Sequence, residues 1–396
     1  MCASLLVVQP AEKRSIQIED LPIAVQSVFP NLKNTIHDVE ASTAGRLREG
    51  ENDHLIFYVL QSTRFTKEPR IEPALSARSF QDRRQVPADA LRRMLDFLKA
   101  PVSVDERLAD LRARLQPTRD SLLSEYARSM SFLYQKEFKA SKNQVADLYQ
   151  TRGHSTDTQV EANYAVWNAL EVLKAMRPDL VIRRVLVVGP GLDFAPRMDL
   201  FDQLPPQSYQ PYALADALFS LKLAQSSGFR LHCVDINPRV VDFVNTFKGR
   251  PLPVLKLISK TADEEYQRYF LRLGSAIGTR QGDTIAVRKD VAESVSATRL
   301  NILTERLTGE PFDLVVVTNV LLYFNPKELT LALANIAGML KRGGYLIHND
   351  LRPEIDGDAV MFGLGPVQAR TLRVARGSTD PLFDSFAIYI KGDSKK

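Results

Sequence analysis

The sequence predicts an α/β protein: a doubly wound, Rossmann-like domain over residues 181–396, preceded by a helical segment over 101–180 and a small α+β region over 1–100. Three observations predict it. Beyond Arg184, short aliphatic runs alternate with amphipathic stretches, the order that a parallel sheet with crossover helices requires. The first run, Val185-Leu-Val-Val188, enters Gly189-Pro-Gly191, a turn of the kind that follows a first strand beneath a ligand. The run Leu231-His-Cys-Val234 ends at Asp235, where a carboxylate can accept hydrogen bonds from two ribose hydroxyls.

Composition narrows the class before the motifs do. With 44% hydrophobic and 25% charged residues over 396 positions, the chain reads as an ordinary folded protein, long enough for a large core or two domains. The net charge of +5 is spread along the chain, which does not argue for a nucleic-acid partner. The two cysteines, Cys2 and Cys233, form no metal-ligand spacing, so neither a disulfide scaffold nor a bound metal is expected. No apolar run reaches a membrane span, and Met1-Cys-Ala-Ser-Leu-Leu-Val-Val8 is too short for a signal peptide. The expectation is a cytoplasmic protein with no membrane partner, unless a start assigned too late hides an export signal.

In chain order, His54-Leu-Ile-Phe-Tyr-Val-Leu60 reads as a strand preceded by the turn-like Glu49–Asp53. From Ala88 to about Met176 the spacing becomes helical: Leu91, Met94, Leu95 and Leu98, then Leu108, Leu111 and Leu115, then Leu122, Leu123 and Tyr126, and finally 160–173 around Trp167. Pro101 and Pro117 mark breaks, since proline lacks the amide hydrogen of a helix interior. The second half predicts strands at 185–188, 231–234, 284–287, 312–317 and 344–348, with helices at 209–223, 238–247 and 327–340. A last strand at 385–390 is expected to complete an antiparallel edge.

The glycine turn bears on which nucleotide is held. A dinucleotide needs a third glycine and a helix amino terminus open to pyrophosphate. Here the turn leads into Asp193, whose negative charge repels phosphate but suits the sulfonium and amino group of S-adenosylmethionine. The interval from Gly189 to Asp235 is 46 residues, against roughly 20 in the dinucleotide fingerprint; an insertion containing Pro205-Pro206-Gln-Ser-Tyr-Gln-Pro211 accounts for it. Each piece also has a plainer reading: an ordinary strand-to-loop turn for Gly-Pro-Gly, a turn aspartate at 235, and a helix cap and core aromatic for Asn319 and Tyr323.

The third piece is Phe312-Asp-Leu-Val-Val-Val-Thr-Asn-Val-Leu-Leu-Tyr-Phe324, followed by Leu340-Lys-Arg-Gly-Gly-Tyr-Leu-Ile347. Together with Pro211-Tyr-Ala-Leu-Ala-Asp-Ala217, Asp235-Ile-Asn-Pro-Arg-Val240, Tyr266-Gln-Arg-Tyr-Phe270 and Arg299-Leu-Asn-Ile-Leu303, it resembles the class I methyltransferases. The resemblance is closest to the CheR-type chemotaxis receptor glutamate O-methyltransferases and covers about residues 183–350. It implies a SAM-methyltransferase domain in which Gly189 and Gly191 lie under the methionine part of S-adenosylmethionine and Asp235 holds the ribose, with Asp193 and Ile236 as further cofactor-binding candidates. It also implies that Asn301 and Ile302 flank the adenine, and that Asn319 and Tyr323 face the methyl group and acceptor, with Asn319 accepting from the cofactor amino group.

Three departures stand beside it. Thr318 replaces the family's arginine before the Asn-Val pair, the Phe-Phe-Arg signature is absent, and the strand at 185–188 lacks the acid often found before the first glycine. The nearest substitute for the signature is Tyr149-Gln-Thr-Arg-Gly-His-Ser-Thr-Asp157, where Arg152 and His154 are candidates for a lid and a solvated interhelical loop is the alternative. A carboxylate acceptor, on a protein or a small molecule, would need no base; an amine or hydroxyl would call on His154 or His348 only if near the site, and His348 reads as a structural polar residue. The competing readings are a non-catalytic SAM-binding regulatory protein and an NAD(P)-dependent oxidoreductase. Residues 1–180, which carry no legible motif, are expected to choose the acceptor and offer a surface for a protein partner.

Overall fold

The computed structural model describes residues 12–50, 52–101, 118–140, 142–155, 162–192, 208–247, 251–253, 263–281, 284–375 and 382–392. Leu108, Leu111, Leu115, Pro117, Asp193 and the Pro205-Pro206 insertion lie outside these residues.

Twelve strands are described: β1 (Lys13–Ser15), β2 (Arg184–Val188), β3 (Arg230–Asp235), β4 (Pro251–Pro253), β5 (Gly278–Gln281), β6 (Thr284–Val287), β7 (Val295–Arg299), β8 (Glu305–Leu307), β9 (Phe312–Val317), β10 (Leu340–His348), β11 (Leu364–Ala375) and β12 (Leu382–Lys391). Seven form one sheet in the order β11-β12-β10-β9-β2-β3-β7. The pairs β7·β3, β3·β2, β2·β9 and β9·β10 are parallel, and β12 runs antiparallel to both neighbours. Successive residues of a strand face opposite sides of a sheet, and the core divides accordingly. Val185, Val187, Leu314 and Val316 pack with Trp167 on one side. Leu186, Val188, Val315 and Val317 pack on the other with the helix Pro326–Met339 and with Ile16, Phe29 and Val39 of the amino-terminal segment. Strands buried on both faces read as continuous aliphatic runs, which is why β2 and β9 are plain in the sequence. The doubly wound α/β architecture is therefore observed, and its switch point lies where the chain leaves β2 for β3 on one side and later returns to β9 on the other.

Four expectations need correction. Residues 54–60 are not a strand but part of a helix, Asn52–Gln61, in which Leu55, Ile56, Tyr58, Val59 and Leu60 are buried against Tyr126, Met130 and Leu133. A short apolar run buried on all sides looks the same in either state. The one strand described before residue 100 is β1, which pairs with β8 and so adds to the carboxyl-terminal half rather than to a separate α+β unit. Residues 284–287 do form a strand, but in a separate antiparallel sheet of order β4-β6-β5; the parallel position beside β3 is taken by Val295-Ser-Ala-Thr-Arg299, too polar to stand out. The last strand is not the edge: β12 is inserted between β10 and β11, and β11, interrupted by Gly365-Pro366, forms the edge.

The helical expectation for 88–176 appears as α-helices Ala88–Lys99, Arg119–Tyr134, Lys142–Thr151 and Ala162–Met176. Among the described residues no helix is long and apolar enough to cross a membrane. One helix of the amino-terminal segment, here α1 (Leu32–Glu49), bridges the sheet face and the ligand end of the sheet: it starts with Leu32 and Val39 packed on the sheet, and its last turns reach the carboxyl ends of the strands.

Candidate functional site

β2 runs into Gly189 at φ +66° and Gly191 at φ +63°, backbone positions that favour glycine. The amide of Gly189 donates to Val234 O at 2.8 Å, tying the turn to β3. A Cβ on Gly189 would stand 2.4 Å from Val320 Cγ2, so the absent side chain is what lets the loop after β9 close over the turn. At the end of β3, Asp235 Oδ1 accepts the Asn237 amide at 2.8 Å, and the amides of Gly191 and Ile236 also bond the carboxylate. The next helix is capped by Asn237, whose side chain accepts from Arg239 N, so the aspartate is not its cap. Burial raises the Asp235 carboxyl to about 6, and no salt bridge to it is found among the described residues.

Beyond β7, Asn301 and Ile302 form a turn in which Asn301 Oδ1 accepts from Leu303 N at 3.1 Å and Asn301 N donates to Glu305. Beyond β9, Asn319 adopts φ +57°, which asparagine tolerates better than most residues. Its conformation is fixed by Asn349: the Asn319 amide donates to Asn349 Oδ1, and Asn349 Nδ2 donates to Asn319 Oδ1, both at 2.9 Å. The carbonyl of Asn319 is thus already engaged, and its Nδ2 is buried without a hydrogen-bond partner. The second lone pair of the carbonyl is left for a further donor. Thr318 Oγ1 is spent on Gln210 Nε2. Tyr323 sits in the single turn Leu321–Tyr323, whose carbonyls are held by Arg352 at Leu321 O (2.6 Å) and Phe324 O (3.0 Å).

These strand ends enclose one side of a cavity. Its lining includes Gly189, Gly191, Asp235, Ile236, Asn301, Ile302, Asn319 and Tyr323. The opposite side comes from far away in sequence: Thr43 of α1, then His154 and Ser155. His154 lies edge-on to Tyr323, ring centroids 5.5 Å apart, with Nε2 buried and unpartnered. Burial and, second, the neighbouring Arg46 guanidinium lower its pKa to about 3, so its ring is neutral at physiological pH. Arg152 does not line the cavity. Its guanidinium makes two contacts of 2.6 Å with buried Asp53 and reaches Tyr323 Oη at 3.4 Å. His348 is outside the cavity too, buried and stacked on Tyr389, with a pKa lowered to about 4 chiefly by burial.

Sequence reading missed Thr43, Ser155 and Asn349. Thr43 carried a faint mark, a hydroxyl four residues after Val39 on the buried stripe of α1. Asn349 carried none, because its role depends on β9 and β10 lying side by side.

The residues fit S-adenosylmethionine on their own chemistry. A buried carboxylate without a cation suits two hydroxyl donors, and the glycine turn admits close backbone approach. Among the described residues, Asp235 is the one acidic side chain in the lining.

Comparison with known sequences agrees. Residues 207–350 match the family model described as CheR methyltransferase, SAM binding domain. A chemotaxis protein methyltransferase of Klebsiella aerogenes is 28% identical over 159 residues, covering 39% of this chain and 51% of the relative. The chain thus spans about half the length of that curated relative. Among solved structures, the N-methyltransferase NodS of Bradyrhizobium japonicum with S-adenosyl-l-homocysteine aligns at a TM-score of 0.32 and 16% identity, over 57% of this chain and 86% of that one. Magnesium protoporphyrin IX methyltransferase of Synechocystis, with bound SAM, aligns at 0.31 and 11%, over 59% and 82%. The family match and the strand-end motifs coincide: over residues 207–350 this chain is similar to the SAM-binding domain of the CheR methyltransferases, and its cofactor is S-adenosylmethionine.

Proposed function

We propose that the protein is an S-adenosylmethionine-dependent methyltransferase that esterifies a carboxylate, on a protein or a small molecule. The observation that carries the reading is the meeting, at one cavity, of Gly189, Gly191, Asp235, Asn301, Asn319 and Tyr323 from the ends of four strands. When bound, the cofactor supplies an activated methyl group. The chain's work is then to bind, align and exclude water, which can supply roughly 7–11 kcal/mol. In this reading Gly189 and Gly191 leave room for the methionyl part, Asp235 accepts from the ribose, and Asn301 with Ile302 borders the adenine. Tyr323 orients the acceptor oxygen.

The carboxylate preference rests on what surrounds Tyr323. No positive charge replaces the one missing at Thr318 in the described lining: Arg152 reaches the Tyr323 hydroxyl at 3.4 Å from behind the wall, with its guanidinium paired to Asp53. The nearby imidazole, His154, is held too acidic to draw a proton from an alcohol or ammonium. A carboxylate needs no such base.

The test combines binding and product chemistry. Calorimetry with S-adenosylhomocysteine, S-adenosylmethionine and NAD should give micromolar binding of the sulfur nucleosides alone, lost in Asp235→Ala. Methyl label transferred from S-adenosylmethionine in cell extract should then leave as methanol on alkaline treatment, as esters do. Label stable to alkali would sink the carboxylate assignment, and preference for NAD would sink the methyltransferase reading.

A further inference from the structure

One side chain of helix α1, that of Arg46, ties the helix to the segments around the cavity. The guanidinium of Arg46 donates to Tyr323 O at 2.9 Å, to Arg152 O at 3.0 Å and to Tyr149 O at 3.1 Å. Its carbon lies 5.9 Å from the Tyr323 ring centroid, and Glu328 stands 3.7 Å away. Its own carbonyl accepts the His154 amide at 2.8 Å. Three segments distant in sequence are therefore fastened at residue 46: the turn bearing Tyr323, the loop bearing His154, and the helix that brings Thr43 to the lining one turn earlier. The backbones come close enough for this because of glycine. A Cβ on Gly50 would stand 1.8 Å from His154 O, and one on Gly153 would stand 2.7 Å from Gly50 N.

A guanidinium suits this task because its planar donors are fixed in a fork, whereas an ammonium is a point charge on a flexible stem. Arg46 makes no direct appearance in the cavity lining. It acts through what it holds.

We propose that Arg46 is a positioning residue that sets the acceptor half of the cavity, holding Tyr323 and His154 in register from the amino-terminal helix while leaving the cofactor half untouched. The division into two halves rests on the methyltransferase reading above; the clamp itself does not.

Three measurements on Arg46→Met and Arg46→Lys test it. The first is the titration of the His154 ring by NMR. The groups facing it are Arg46 from α1 and Tyr323 from the turn; Tyr149 and Arg152, from the helix Lys142–Thr151 and its end, lie against Tyr323, with Glu328 and Asp53 behind the two arginines. The wild-type ring should show no titration above about pH 5, in keeping with its depressed value. Arg46→Met should raise its proton affinity at least tenfold, one pKa unit. Arg46→Lys, which keeps the charge, should raise it less. The second is hydrogen exchange of the Tyr323 and Phe324 amides, which should quicken at least tenfold in both variants as the turn loses its guanidinium. The third is calorimetry with S-adenosylhomocysteine, where affinity should stay within about threefold of wild type.

An unchanged His154 titration together with unchanged exchange would overturn the proposal, as would nucleoside binding lost in proportion to the quickened exchange. Should Arg46→Met not fold, Arg46→Lys carries the exchange and calorimetry arms alone. Wild-type protein that binds no S-adenosylhomocysteine would remove the methyltransferase reading and leave the titration and exchange results to decide the clamp.

Discussion

The two walls of the cavity are built on different principles. The sheet wall is made of backbone: positive-φ glycines after β2, a carboxylate fed by three amides after β3, a left-handed asparagine after β9. The helical wall is made of side chains, Thr43, His154 and Ser155, backed by Arg46, Arg152 and Asp53. One wall is specified locally, each strand delivering its own residue to the switch point. The other exists only because α1 and the loop near His154 converge on Tyr323. A cofactor common to many enzymes suits the first kind of wall, and an acceptor peculiar to one enzyme suits the second.

The sharpest way to break that contrast is at the buried ion pair behind the helical wall. Arg152→Met should cost about 3–5 kcal/mol of stability in chemical denaturation, because it leaves Asp53 buried without its partner. Arg152→Met with Asp53→Leu should recover much of it, and neither variant should change S-adenosylhomocysteine affinity beyond about threefold. A large loss of nucleoside binding in the folded double variant would show that the walls are not separate.

The sheet wall should answer in the opposite way at Asp235. Its folded-state value of about 6 lies above the unfolded carboxylate, so the ionised form is a cost at pH above 6 that fades as pH falls toward 4. Asp235→Asn should therefore stabilise the free protein at pH 7 by about 1–3 kcal/mol. It should weaken S-adenosylhomocysteine binding by about 3 kcal/mol or less, in line with the loss of hydrogen bonds to a charged group. Stability and affinity that fall together would mean that Asp235 is structural.

At Gly189 the contrast can be sharpened with a pair. Gly189→Ala combines a positive φ with a clash on Val320 and should cost about 1–3 kcal/mol. Val320→Ala in the same chain should relieve the clash but not the backbone strain, so thermal denaturation should show partial recovery. Full recovery would mean that the turn tolerates a side chain.

The smallest effect is a slope. His154, His232 and His348 are held at about 3, about 4 and about 4 by burial, all below the ordinary imidazole. The unfolded chain therefore binds more protons below about pH 6.5, and stability is complete above that value and declines as pH falls toward the folded values. Each imidazole contributes about 1 kcal/mol per pH unit across that window. His154→Gln should flatten the profile by one such increment without moving the plateau at pH 8. An unaltered slope would place His154 in a wetter setting than the geometry shows.

Legibility in the sequence differed between the walls in the same way. Gly189, Gly191, Asp235, Asn301, Ile302, Asn319 and Tyr323 were all readable as site candidates, and they line one cavity, because each follows an aliphatic run whose end is fixed by the sheet. The run 54–60 was misread because burial on every side erases the difference between periods of 2 and 3.6. Arg152 and His154 drew notice only as a lid loop; which of them faces the cavity and which turns back to Asp53 depends on a helix 99 residues earlier.

The sequence by itself determined the doubly wound half and the identity of its strand ends, since hydrophobic run, glycine turn and terminal polar residue are encoded within a dozen positions of one another. Only the tertiary structure decided the insertion of β12 between β10 and β11, the reciprocal Asn319–Asn349 amide pair, and the fastening of Tyr323, Arg152 and Tyr149 by Arg46. Those are contacts between side chains and carbonyls distant in sequence, and a carbonyl carries no residue identity from which its partner can be read.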